Sequence, residues 1–300
     1  MQAYLKLIKF DNLILIAIAQ LFIKYGLFEP FDIAITLNGF GILLLIIATI
    51  SLVAAANVML YIENKEYAIK KENTNGTISE KIANRLFIVF NIIGVAIGFY
   101  LSNIIGSPKL AALFIVVSGI FYIYATYLKE ILVLKNVIIG VLMALALISV
   151  AIFDLLPAIT DQNRASQKVI FLIIVDYSIF AFTIVTIREI VKDCLSMDKD
   201  HNAGIQTIPI ALGKDRTVKL IGALTIIPIG LIIYYVYTYL FSNSTAVVLV
   251  LGFLVAPLLY FMFKSWSAET NKDFKTLSLI LKVVLFLASL SILQFQFILL

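Results

Sequence analysis

Cysteine, histidine and charge are all scarce in this chain of 300 residues. One cysteine, Cys194, excludes an internal disulfide and any cysteine-based zinc site. One histidine, His201, excludes a metal site built on several imidazoles and reads as a polar loop residue. Only 14% of residues are charged, while 62% are hydrophobic and the mean hydropathy is +1.06. Soluble proteins are about 45–50% apolar and about 25% charged, so a soluble domain of this length could not hide so much apolar surface. The chain reads as an integral membrane protein, with the lipid bilayer as its medium and no nucleic acid expected as a partner. Aspartate is missing altogether between residues 33 and 153, an absence that bears on the chemistry below.

Long apolar runs are what the chain has in abundance. A bilayer crossing needs about 20 predominantly apolar residues. Nine stretches qualify, near 13–28, 37–62, 86–105, 110–128, 132–153, 169–191, 220–241, 246–263 and 277–300. Their continuous apolar character excludes the alternation of a membrane barrel. Each is expected to be a helix, the one open segment that satisfies its own backbone in hydrocarbon. The expected fold is all-α: nine transmembrane helices in one bundle enclosing an apolar cavity, a single membrane domain over 1–300. The breaks carry turn chemistry, as in "GSPK" (106–109) and "DQNRAS" (161–166).

Lys6 and Lys9, an apolar run and "AIA" at 17–19 imitate a secretory leader, but the run continues to Phe28 and reads as a retained first span. Nine spans divide the basic residues unevenly. Eighteen Lys and Arg fall with the N-terminus and even-numbered loops, against Lys24, Lys109, Arg164 and Lys168 on the other side. Basic loops favour the cytoplasm. The N-terminus and the two large polar loops, about 63–85 and 192–219, are therefore expected there, in the cytoplasmic membrane, with the C-terminus outside.

The polar chemistry gathers in those loops. Asp193 and Asp200 are seven residues apart and, in a helix, fall within about 20° of one another. Ser196 lies on the same stripe, and Arg188, Glu189 and Lys192 precede it. Carboxylates on one face beside cations suit a site where Mg²⁺ joins protein oxygens to phosphate, because Mg²⁺ favours one or two carboxylates plus phosphate oxygens and waters. A solvated helix end is the alternative, although Glu189 and Asp193 at i,i+4 would then repel. Asp176 lies within the sixth span, beside Tyr177. An ionisable group at that depth is either functional or bonded to a neighbouring helix. Both readings stay open.

The stretch "REIVKDCLSMDKDHNAGIQTIPIALGKDR" (188–216) resembles the second aspartate-rich motif of the UbiA superfamily of intramembrane prenyltransferases, in the branch of geranylgeranylglycerol-phosphate geranylgeranyltransferases. "KLIKFDNLILIAIAQLFIKYGLF" (6–28) is similar to that family's first helix, and "YATYLKEILVLKN" (124–136) to its loop after helix four. The resemblance implies an enzyme that binds an isoprenyl diphosphate through Mg²⁺ and transfers the prenyl group to a hydrophobic lipid or aromatic acceptor. It implies Asp193 and Asp200 as metal ligands, with Lys129 joining them in catalysis. Arg188 and Lys192 would neutralise diphosphate. Ser196 departs from the pattern, standing where a further aspartate is usual, and Glu130 stands where a second cation is common.

The family's other motif, N-D-x-x-D-x-x-x-D at the end of helix two, fails. The best register over "NVMLYIENKEYA" (57–68) places Tyr61, Asn64 and Ala68 at the three aspartates; a register anchored on Asn57 supplies none either. Glu63 and Glu66 fall well off the stripe of 61, 64 and 68. Asn64 offers one neutral oxygen and Tyr61 a hydroxyl, so these two are the expected diphosphate-binding residues of this helix. Two functions follow. One is a prenyltransferase with a compromised helix two; the other is a homologue that has lost chemistry and binds a polyprenyl lipid or a protein partner. Transport is disfavoured because the spans hold few ionisable groups and no clear pair of broken helices.

Overall fold

The computed structural model of the protein describes residues 2–68, 78–127, 131–202 and 204–294, with side chains described throughout except at 63–68 and 294. Among the described residues there is no strand, and nine helices are long and apolar enough to cross a membrane. These are α1 (Phe10–Phe31), α2 (Gly39–Ala68), α3 (Glu80–Ile104), α4 (Pro108–Thr126), α5 (Leu134–Ala158), α6 (Arg164–Asn202), α7 (Lys214–Leu240), α8 (Ser244–Trp266) and α9 (Asn271–Ser291). The protein is an all-α, multi-pass integral membrane protein.

Two helices depart from the apolar runs for local reasons. α6 has 39 residues, about 58 Å at 1.5 Å per residue, nearly twice the ~30 Å hydrocarbon layer. Its C-terminal end therefore projects well beyond its apolar run. The helix stops before Gly204, whose φ of +75° only glycine adopts without cost, and the Ile205 N–H returns to the Asp200 carbonyl at 2.9 Å. α9 starts at Asn271, six residues before the apolar run, because Thr270 and Asp273 form a reciprocal capping box.

Among the described residues four helices contain a five-residue π-turn: Lys24–Phe28, Ala151–Leu155, Val236–Leu240 and Leu251–Val255. In α1 and α5 the π-turn runs into a 3₁₀ turn carrying Pro30 or Pro157. Proline has no N–H to continue the ladder, so both helices end there.

The chain divides into two compact units. The first comprises Met1–Leu21, Ile33–Lys129 and Ser149–Gln167. Within it α2 packs against α3 and α4, and a buried polar chain adds direction to an otherwise apolar core. Thr49 donates to Gln20 at 3.0 Å and Gln20 to Ser149 at 3.3 Å. The fully buried Asp154 carboxylate accepts the backbone N–H groups of Thr36 (3.0 Å) and Leu37 (2.7 Å), fixing the approach to α2.

The second unit comprises Phe22–Asp32, Glu130–Ile148 and Lys168–Leu300, and holds most of α6 with α7, α8 and α9. Here the start of α5 lies close against α6. A Cβ on Gly140 would come within 2.4 Å of Thr186 Oγ1 and 2.9 Å of the Phe182 carbonyl. Only glycine permits that approach, which brings the residues before it to the side of α6.

Candidate active site

Asp193 sits on the projecting end of α6, nearly buried, and both its oxygens are engaged from the head of α5. Lys135 Nζ is 2.7 Å from Oδ1, and Asn136 Nδ2 donates to Oδ2 at 2.9 Å. The Lys135 and Asp193 side chains are only 13% and 9% exposed, so the pair interacts in a medium far less screening than water. Asn136 is fully buried, and its Oδ1 has no hydrogen-bond partner. An acceptor buried without a donor is costly, and this one lies on the amide that touches Asp193.

The turn that delivers Lys135 and Asn136 is strained. Val133 has φ +68°, a conformation that a β-branched residue adopts only at a cost of about 1–3 kcal/mol. Neither Lys135 nor Asn136 stands out in the sequence, where Lys135 counts as one more basic residue at a span boundary. The available signal is a Lys-Asn pair at the head of an apolar run, four residues before a glycine.

Further along α6, Ser196 Oγ donates to Asp200 Oδ2 at 2.6 Å. Lys192 pairs with Glu189 one turn back, and Arg188 Nε donates to the carbonyl and hydroxyl of Ser278 at 3.3 Å each, tying α6 to α9. Lys129 and Glu130 lie outside the described residues. His201 is exposed at the end of α6.

On α2, in the other unit, Tyr61 packs against the buried cluster of Leu7, Val58 and Ala83. Its hydroxyl donates to the Ile78 carbonyl at 3.2 Å. Asn57 donates to the Ile8 carbonyl at 3.0 Å. The side chains of Asn64 and Ala68 lie outside the described residues, as do those of Glu63 and Glu66.

The UbiA prenyltransferase family matches residues 13–290, nearly the whole chain. The chain belongs to the UbiA prenyltransferase family. Among solved UbiA-fold structures, it is similar to that of a digeranylgeranylglyceryl phosphate synthase, with 18% identity, a TM-score of 0.63 and 98% of each chain covered. It is similar to a UbiA homologue from Aeropyrum pernix K1 at 14% identity and TM-score 0.63, covering 91% of this chain and 95% of that one. A UbiA homologue from Archaeoglobus fulgidus, bound to DMAPP and Mg²⁺, matches at 14% identity and TM-score 0.61, over 97% and 99% of the two chains. These likenesses establish the UbiA fold. No curated protein matches the sequence.

Does the donor set suit Mg²⁺? Among the described residues no three His, Cys, Asp or Glu side chains cluster. Asp193 and Asp200 are about 10 Å apart in rise along α6, too far for one ion with ligands at ~2.0–2.1 Å to touch both. Each carboxylate could still serve singly, with waters and phosphate oxygens completing the shell, which is how Mg²⁺ is usually held. The orphaned Asn136 Oδ1 beside Asp193 adds a neutral oxygen of the right kind. The residues fit an ion held partly by substrate and do not form a preassembled cage.

Proposed function

We propose that this UbiA-family protein transfers an isoprenyl group from a prenyl diphosphate to a hydrophobic acceptor, and that the projecting end of α6 with the head of α5 forms its diphosphate half-site. In this reading that end faces the cytoplasm. The observation that carries it is the Asp193–Lys135–Asn136 cluster: a nearly buried carboxylate and ammonium with an unsatisfied amide oxygen, delivered by a strained turn. Burial of this kind is expensive and suits a site that trades its internal pair for a ligand.

Asp193 with Asn136, and Asp200 separately, would hold Mg²⁺; when bound, the ion offsets charge on the diphosphate oxygens. The chain's own part is positioning and charge. Lys135 exchanges its contact with Asp193 for a diphosphate oxygen, while Lys192 and Arg188 add positive potential along the same helix. As the prenyl C1–O bond breaks, its electron pair goes to the departing diphosphate, where fixed cations are most effective. The acceptor's nucleophilic atom bonds to C1, and its proton passes to the released diphosphate. Apolar helix surfaces exclude water from the cation-like prenyl carbon.

A second reading is favoured by Tyr61. Where the family motif calls for an aspartate, Tyr61 spends its hydroxyl on a backbone carbonyl and its ring on packing. A homologue that keeps the fold and binds a prenyl lipid without turnover would look like this on α2. The test is prenyl transfer in membranes from labelled geranyl, farnesyl and geranylgeranyl diphosphates. It compares the wild type, Asp193→Ala, and the combined Tyr61→Asp, Asn64→Asp, Ala68→Asp variant. Transfer is expected in the wild type and to fall by roughly 10²–10³ in Asp193→Ala, the usual loss for one charge-stabilising group. Turnover confined to the combined variant would establish the second reading instead.

A further inference from the structure

A second polar cluster lies on α6 about 25 Å of helix rise before Asp193, within the apolar run and entirely inside the second unit. Asp176 opens onto a small recess of about 50 Å³, lined chiefly by Tyr177, Phe180, Tyr234, Tyr235 and Ser291. One water needs roughly 10–15 Å³ on this measure, so the recess has room for a compact polar head while a hydrocarbon body would lie outside it. Asp176 is hydrogen-bonded to Tyr239, and the Tyr177 and Ser291 hydroxyls are 2.8 Å apart. The Tyr177 and Tyr235 rings meet edge to face, 5.7 Å between centroids at 80°, and Tyr235 leans on Tyr239 at 4.9 Å. Ile179 and Tyr234 at the mouth are exposed, 43% and 61%, so the recess opens outward from the unit.

The chemistry of this lining is selective. It carries one carboxylate and no cation, which rules against diphosphate, phosphate or any anionic head. It carries four aromatic rings, two of them nearly perpendicular. A carboxylate set among aromatic faces is the arrangement that attracts an organic ammonium, through charge and through the ring quadrupoles, and it strengthens when water is excluded. The remaining walls, Leu231, Ile232, Val250, Leu254 and Ala288, are aliphatic. An intramembrane carboxylate is costly unless a partner or ligand repays it.

We infer that the Asp176 recess is a binding site for an ammonium group carried on an apolar body. Such an ammonium has two sources in a bilayer, a hydrophobic amine or the head of an ethanolamine lipid. The site stands independently of prenyl transfer, since it shares no residue with the Asp193 cluster.

The test is equilibrium binding of radiolabelled dodecyltrimethylammonium to the whole protein in phosphatidylglycerol vesicles, with dodecanol and dodecyl sulfate as matched probes. One saturable ammonium site per chain is expected, with affinity reduced about tenfold or more in Asp176→Asn, kept in Asp176→Glu, and kept in Tyr177→Phe, which retains the ring. An unchanged thermal midpoint in Asp176→Asn separates lost binding from lost fold. Competition by added phosphatidylethanolamine identifies the lipid head as the source; its absence identifies a free amine. Equal binding of dodecanol or dodecyl sulfate, no saturable site, or full affinity in Asp176→Asn would overturn the inference.

Discussion

Lys135 is the residue on which the site's energetics turn. Removing one partner of a buried ion pair leaves the other charge unpaired, at a cost of about 3–5 kcal/mol, whereas replacing both with apolar groups is often neutral. Lys135→Met is therefore expected to destabilise the protein by about that amount, and Lys135→Met with Asp193→Leu to recover most of it. Denaturant unfolding in detergent over the four-variant cycle measures the coupling; additive losses would mean that the pair makes no interaction. Val133 pays for the same geometry in its backbone. Val133→Gly relieves the φ of +68° and is expected to stabilise the fold by about 1 kcal/mol, read as a rise in unfolding midpoint. The sequence shows Asp193 and Asp200 as acids on one helical stripe, because that follows from spacing alone. It does not show Lys135 or Asn136 as their companions, because they reach Asp193 across 57 or more residues of chain.

At the scale of elements, close approach and capping set the boundaries that apolar runs leave vague. The α5–α6 contact depends on Gly140, where an added methyl meets Thr186 Oγ1 at 2.4 Å. Gly140→Ala is expected to cost about 1–3 kcal/mol as overpacking, and Thr186→Ala in the same chain to restore part of it; an unperturbed melting midpoint in Gly140→Ala alone would contradict the contact. The capping box of α9 joins Thr270 to Asp273, with the Thr270 hydroxyl 2.6 Å from Oδ2. Thr270→Ala is expected to lose about 1 kcal/mol and to speed hydrogen exchange in the first turn of α9 selectively. Hydropathy locates all nine spans, since each helix must be apolar to enter lipid. It misses the polar ends of α6 and α9, where a glycine stop and a cap decide, and it misses the π-turns, which leave no mark on composition.

For the molecule as a whole, the fold was legible from composition and the family from the acidic end of α6, because both are local properties of sequence. The working state of the site was not, since it rests on pairings between distant segments and on what Tyr61 does once folded. The orientation proposed from the basic loops has a simple check. In a Cys194→Ser background, Lys109→Cys is expected to react with an impermeant maleimide in intact cells and Lys81→Cys only after permeabilisation; the reverse pattern inverts the topology. The most direct test of the account is equilibrium binding of a prenyl diphosphate against its parent prenyl alcohol by the purified protein. The account predicts that the wild type prefers the diphosphate by at least about tenfold and that Lys135→Gln loses most of that preference. Equal affinity for diphosphate and alcohol in the wild type would contradict a diphosphate half-site at Asp193, Lys135 and Asn136.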